Sequence, residues 1–112
     1  MRRPVFLLAL LLPAAALAEP KSCRFAQECY NTLACTETDL EITVDLEAGQ
    51  VSTPTGDLEI VGTYDGPVAK TAVLEGFAGY QLLTMGQLTW ILSVHIAAGP
   101  AVATYYGECG AD

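Results

Sequence analysis

The chain lacks the short sequence motifs that indicate a catalytic centre. Its 112 residues contain no G-x-S-x-G, no H-E-x-x-H and no glycine-rich phosphate loop. His95 is the single histidine, and Ser93, on the same face of a strand, would lie about 7 Å from it, beyond hydrogen-bonding reach. We therefore expect a non-enzymatic protein with no catalytic residue and no cofactor, in which His95 bonds across a sheet to a tyrosine or an acid. A glycosidase-like pair of carboxylates stays open as an alternative.

Basic residues are scarce. Five of them stand against 13 acidic residues, which gives a formal net charge of −8. A negative field repels phosphate backbones and anionic lipid and attracts cationic groups. The charge therefore predicts that the protein binds no nucleic acid, and a cationic protein is the partner that it would attract. Solubility alone is the other explanation of the acidity.

Hydrophobic runs long enough to cross a membrane are absent too. The apolar run at residues 5–12 falls short of the roughly 20 residues that a span requires. It follows Arg2 and Arg3 and precedes small residues at 16–18, a pattern typical of a signal peptide. We expect cleavage after Ala18, which leaves one domain at residues 19–112, where three basic residues face 13 acidic ones and the net charge is −10. The sequence thus predicts a periplasmic or secreted protein with no membrane insertion after signal cleavage.

Cysteine pairs with the close spacing of a zinc or redox site are also missing. The four cysteines, Cys23, Cys29, Cys35 and Cys109, are separated by five, five and 73 residues, whereas zinc sites usually contain two close pairs such as C-x2-C. We expect no metal site, and two disulfides of the kind that small exported domains use. Spacing leaves three pairings open. Because Cys35 precedes the first predicted strand and Cys109 follows the last, we favour Cys35–Cys109 with Cys23–Cys29.

What the sequence does contain is alternation of apolar and polar residues, which is typical of half-buried β-strands. Residues 38–46 and 88–97 alternate most clearly. In the second of these segments we expect the larger side chains in the core, namely Leu88, Trp90, Leu92, Val94 and Ile96. Further strands are predicted at residues 58–64, 80–84 and 101–106. Residues 68–77 form a strand or a short helix, and residues 50–53 form a short strand or a loop arm.

These segments predict an all-β fold, a small antiparallel barrel or curled sheet of about six strands. Residues 19–36 lack a sustained apolar period and are expected to form a disulfide-pinned loop or a short helical turn. If the first and last strands pair, the barrel closes with a disulfide on its seam, and no strand edge between them is left exposed.

Two surfaces carry candidate binding residues. The polar face of the strand at residues 38–46 presents carboxylates at steps of about 7 Å: Asp39, Glu41, Asp45 and Glu47. This face is either simply solvated, or it binds calcium, or it binds a basic protein. A flat strand does not provide the tight loop of most calcium sites. The second surface combines His95 with Tyr105 and Tyr106, which point to opposite faces of their strand, and it would suit an interface or a sugar-stacking site.

The two ends of the predicted domain carry a resemblance. Residues 23–39 read C-x-F-x-x-E-C-Y-x-x-x-x-C-x-x-T-D and residues 94–109 read V-H-I-A-A-G-P-A-V-A-T-Y-Y-G-E-C. This pattern resembles small exported four-cysteine proteins of alphaproteobacteria, and it implies a periplasmic location without any catalytic residue. In its size, its acidity and its disulfide-bonded sheet, the chain is also similar to periplasmic lysozyme inhibitors, although their inhibitory motif is not matched.

The leading hypothesis is a non-enzymatic periplasmic binding domain with an acidic surface. The alternatives are an inhibitor of a basic cell-wall hydrolase and a barrel that holds a small apolar ligand, which requires an internal cavity. The sequence leaves the oligomeric state open.

Overall fold

A computed structural model describes residues 19–76, 79–97 and 99–110 as eight β-strands with short connections. The predicted signal peptide, residues 1–18, lies outside the described residues. The strands are β1 (Lys21–Tyr30), β2 (Thr36–Asp45), β3 (Gln50–Thr53), β4 (Gly56–Asp65), β5 (Lys70–Gly76), β6 (Gly79–Met85), β7 (Trp90–Ile96) and β8 (Ala101–Cys109). None of the described residues belongs to a helix long and apolar enough to cross a membrane.

The strands form a closed antiparallel barrel in which each strand pairs with the next and β8 pairs with β1. This confirms the all-β barrel, with eight strands in place of about six. Residues 50–53 form a strand, and the ambiguous segment at 68–77 contains strand β5. The other additional strand is β1, which occupies the segment expected to be a loop or a helical turn, so that expectation is wrong.

A register shift explains why β1 was not apparent in the sequence. Its pairing with both neighbouring strands is irregular between Phe25 and Gln27. Cys23 and Phe25 are buried in the barrel, and Glu28 lies opposite Tyr105, whose side chain also faces the interior. The inward positions therefore change from odd to even numbers within the strand, and a strict period of two does not detect such a segment.

The disulfides join Cys23 to Cys109 and Cys29 to Cys35. The favoured pairing of Cys35 with Cys109 and of Cys23 with Cys29 is therefore wrong. Cys23 lies directly opposite Cys109 in the β1–β8 ladder, whereas Cys23 and Cys29 are separated by about 20 Å of extended strand, too far for a bridge. A disulfide does join the first strand to the last, as expected, but the first strand is β1.

The core fills the middle of the barrel and the end at which β1 begins and β8 ends. Phe25, Val51, Leu74 and Leu83 are its largest fully buried side chains. Leu92 is buried as expected, and Trp90 and Val94 pack against the core as partly buried residues. The prediction that Leu88 lies in the core is wrong. Leu88 precedes β7 in a turn and is 86% exposed.

Candidate binding site at the hairpin end of the barrel

The barrel has one end at which four hairpin connections meet: β1–β2, β3–β4, β5–β6 and β7–β8. We call this the hairpin end. A cavity of about 300 Å³ opens there, and its wall is mostly apolar. The residues that line it are Leu40 and Ile42 on β2, Thr53, Pro54 and Thr55 at the β3–β4 hairpin, Gln81 on β6, Leu92 and Val94 on β7, and Tyr105 on β8.

The short strand β3 is what opens the wall at this end. It contains four residues, against ten in each of β2 and β4, so the β3–β4 hairpin turns back below the rim formed by β1 and β2. The turn is held by Thr53, whose hydroxyl donates to the carbonyl of Gly56 at 2.7 Å. Gly56 has φ of 142°, in a region that glycine enters most easily. Pro54 thereby becomes part of the cavity wall.

Tyr105 lines the cavity beside the polar residues Thr53, Thr55 and Gln81, and it forms a polar pair with Glu28. The Tyr105 hydroxyl donates a hydrogen bond to Glu28 Oε2 at 2.7 Å, between residues directly opposite each other on β8 and β1. Burial of the ring, reinforced by the hydrogen bond to Glu28 and by its charge, raises the pKa of Tyr105 to about 12. Because the Tyr105 proton is committed to Glu28, the phenolic oxygen offers only its lone pairs to a bound molecule.

The structure separates the two tyrosines and the histidine of the predicted second surface. Tyr105 faces the cavity, whereas Tyr106 and His95 face outward and are exposed. Tyr106 lies opposite Ile91, and His95 lies opposite Val102, so the outward pair is separated by four residues along β7, about 13 Å. These three residues do not form one surface.

The outer face of β2 is exposed and acidic, as predicted, but its carboxylates differ in what they contact. Arg24 on β1 bonds Asp39 at 2.9 Å and approaches Glu41 at 3.6 Å. The hydrogen bond and charge of Arg24 lower the pKa of Asp39, and the same contacts raise the pKa of Arg24. All three side chains are exposed, so the cluster contributes little to stability.

Asp45 is the last residue on this face, and Glu47 lies beyond it. The strand ends at Asp45, whose carboxylate accepts a hydrogen bond from the Ala48 amide at 3.0 Å and so stabilises the turn to β3. Glu47 lies in that turn. Glu37, which precedes the predicted strand, is on β2 and exposed beside Asp39.

Most of the cavity could not be predicted from the sequence. Leu92 and Val94 were expected in the core, and nothing in the alternation distinguishes a side chain that lines a cavity from one that packs against a neighbour. Glu28 was missed because β1 was not recognised. The opposite faces assigned to Tyr105 and Tyr106 were the one signal that placed a cavity residue correctly.

Within the described ranges, no three histidine, cysteine, aspartate or glutamate side chains lie close enough together to hold a metal ion. No protein-family model matches the sequence, and neither a curated protein nor a solved structure is similar to the chain.

Proposed function

We propose that the protein is a non-enzymatic binding protein of the periplasm or the exported fraction, and that it holds a small, largely apolar group in the cavity at the hairpin end. The observation that carries the proposal is the apolar cavity of about 300 Å³ in the open end of an eight-stranded barrel. Barrels of this strand number are just wide enough to hold one small ligand. The two disulfides are typical of a protein that folds in an oxidising compartment.

The cavity volume sets the size of the ligand group. A dry cavity of about 150 Å³ accommodates benzene, and this cavity is about twice as large. A bicyclic aromatic group or a branched aliphatic group of similar size would fit. Larger ligands would have to extend over the rim at the β3–β4 hairpin.

The polar pair sets the chemistry of the ligand. Tyr105 donates to Glu28 and can only accept from a ligand, and the Glu28 carboxylate disfavours a second anion nearby. An apolar ligand with one N–H or O–H donor is therefore preferred over one that is anionic or lacks a donor.

Calorimetric titration with indole tests this proposal, with 1-methylindole as the matched ligand that lacks the N–H donor. We expect indole to bind and 1-methylindole to bind about tenfold more weakly, as one lost hydrogen bond predicts. Leu40→Trp fills the cavity and should abolish binding, whereas Leu82→Trp, at an exposed position on β6, should not. Equal binding by both variants would refute the cavity as the site.

A second candidate function is the binding of a cationic protein, including the inhibition of a basic cell-wall hydrolase. It is favoured by the exposed carboxylates on β2 and by an outer depression of about 490 Å³ beside them, whose wall includes Arg24, Glu41 and Glu108. Affinity capture from a periplasmic extract tests it. A partner that is retained at low salt and lost at high salt would support this function, and capture that does not depend on salt would exclude the acidic face.

A further inference from the structure

Strand β2 has an open edge beside the cavity. β3 pairs only with Thr43, Val44 and Asp45, three of the ten residues of β2. Residues 36–42 run alongside β1 on one side and, within the part of the chain that the structure describes, have no strand on the other. This edge is about 20 Å long, and unpaired backbone groups along such an edge form a template for another strand.

The hydrogen-bond pattern shows which residues direct their backbone groups to the open edge. The Ser22 carbonyl accepts from the Gly110 amide, on the β8 side of β1. The N–H and C=O groups of successive residues point to alternate sides of a strand. Those of Cys23 and Phe25 therefore point toward β2. Leu40 lies opposite Phe25, so the backbone N–H and C=O of Leu40 point toward β1. Asp39, the next residue, therefore directs its N–H and C=O to the open edge.

The side chains along this edge fit a strand of one particular pattern. Glu37, Asp39 and Glu41 face outward and are exposed, whereas Leu40 faces inward and lines the cavity. Residues of an added strand that lie opposite the carboxylates would also face outward, and a residue opposite Leu40 would face inward toward the cavity. Basic residues at the outward positions, alternating with apolar residues, complement both surfaces.

We propose that the protein binds an extended peptide by strand addition to the open edge of β2, with basic side chains beside Glu37, Asp39 and Glu41 and one apolar side chain in the cavity. This inference rests on the proposed function, because the cavity receives the apolar side chain. A second copy of the chain is disfavoured as the occupant, because antiparallel pairing of two β2 edges brings carboxylates together.

The probe is a capped heptapeptide that would pair antiparallel with residues 36–42, with lysine at its second, fourth and sixth positions opposite Glu41, Asp39 and Glu37, phenylalanine at its third position opposite Leu40, and apolar residues elsewhere. We expect it to bind to the oxidised protein and to protect the amides that face the open edge, those of Glu37, Asp39 and Glu41, from hydrogen exchange. A peptide with glutamate in place of lysine should not bind. In an antiparallel arrangement the backbone amides of the lysines face the edge, so N-methylation of these amides should abolish binding. N-methylation of the backbone amides of the apolar residues, which face solvent, should leave binding within about threefold of the parent.

Two variants of the protein distinguish the contribution of the Asp39 backbone N–H to peptide binding from that of the Asp39 carboxylate. Asp39→Asn and Asp39→Pro both remove the carboxylate, but only proline removes the N–H at the open edge, and proline is tolerated on an edge strand. We expect Asp39→Asn to weaken peptide binding by about threefold and Asp39→Pro by more than about thirtyfold. Equal binding by the two variants, or by the two methylated peptides, would overturn strand addition.

Indole titration distinguishes failure of this inference from failure of the proposed function. Indole should bind to Asp39→Pro as to the parent, which also shows that this variant retains the barrel. If indole binds and the peptide does not, strand addition is overturned and the proposal of the cavity as a binding site stands. If the chain without peptide dimerises and protects the same amides, the occupant of the edge is a second copy and the peptide inference is overturned.

Discussion

Tyr105 links the ionisation of a single side chain to the wall of the cavity. Its pKa of about 12 in the folded chain lies above the usual value of about 10 for an unfolded tyrosine. The neutral phenol is therefore favoured by folding. Its contribution to stability is complete below about pH 10 and is lost as the pH rises from 10 toward 12.

Titration of tyrosinate by ultraviolet absorbance checks this assignment. We expect one tyrosine to ionise near the upper end of this range, and we expect that component to disappear in Tyr105→Phe. Glu28→Gln removes the adjacent carboxylate and should shift the component to lower pH without abolishing it. A late-titrating component that survives in Tyr105→Phe would contradict the assignment.

Gly107 is the residue that permits close contact between β1 and β8. It lies opposite Phe25 on the barrel seam, and a Cβ at this position would overlap the Arg24 carbonyl and the Cα of Phe25. Gly107→Ala should therefore destabilise the fold by about 3 kcal/mol, as overpacking against backbone does. Gly62→Ala is the matched control, because nothing lies within 4 Å of a Cβ there. Denaturant unfolding measures both, and equal losses would contradict the role of Gly107.

At the scale of the elements, the two disulfides restrain β1 to different extents. The Cys23–Cys109 bridge spans 86 residues and joins the two strands of the seam, whereas Cys29–Cys35 spans six and closes the β1–β2 connection. The chain-entropy model gives about 4.5 kcal/mol for the long loop and about 2.4 kcal/mol for the short one. Replacing Cys23 and Cys109 together by alanine should therefore cost more than replacing Cys29 and Cys35. Denaturation midpoints compare the two, and the reverse order would contradict the seam as the main restraint.

Most strands could be predicted from the sequence, and the clearest predictions are those in which side chains alternate without interruption. β2 and β7 were placed to within two residues, because every second side chain is large and apolar. β1 was missed at its register shift, and the disulfide pairing was missed with it, since the partner of Cys109 depends on which strand closes the barrel. Most of the cavity could not be predicted either, because it results from the short β3 and the low rim that this strand leaves.

At the scale of the whole molecule, charge and apolar surface are segregated around the barrel. The outer residues of β2 are mostly carboxylates, whereas across β5 to β8 the outward positions are largely apolar or hydroxyl-bearing, with Val73, Leu82, Ile91 and Thr104 in adjacent strands. The open edge lies at the acidic side, and Leu40 and Ile42 on the same strand line the cavity. This arrangement supports an approach by a ligand that carries positive charge and inserts an apolar group.

The central claim is that the cavity at the hairpin end receives an apolar group. The most direct measurement is the set of nuclear Overhauser effects between bound indole and the methyl groups of the protein. The cavity predicts contacts to Leu40, Leu92 and Val94, which line it, and none to Leu82, which is exposed on the outer surface of β6. Contacts to Leu82 without contacts to the three lining residues would contradict the claim.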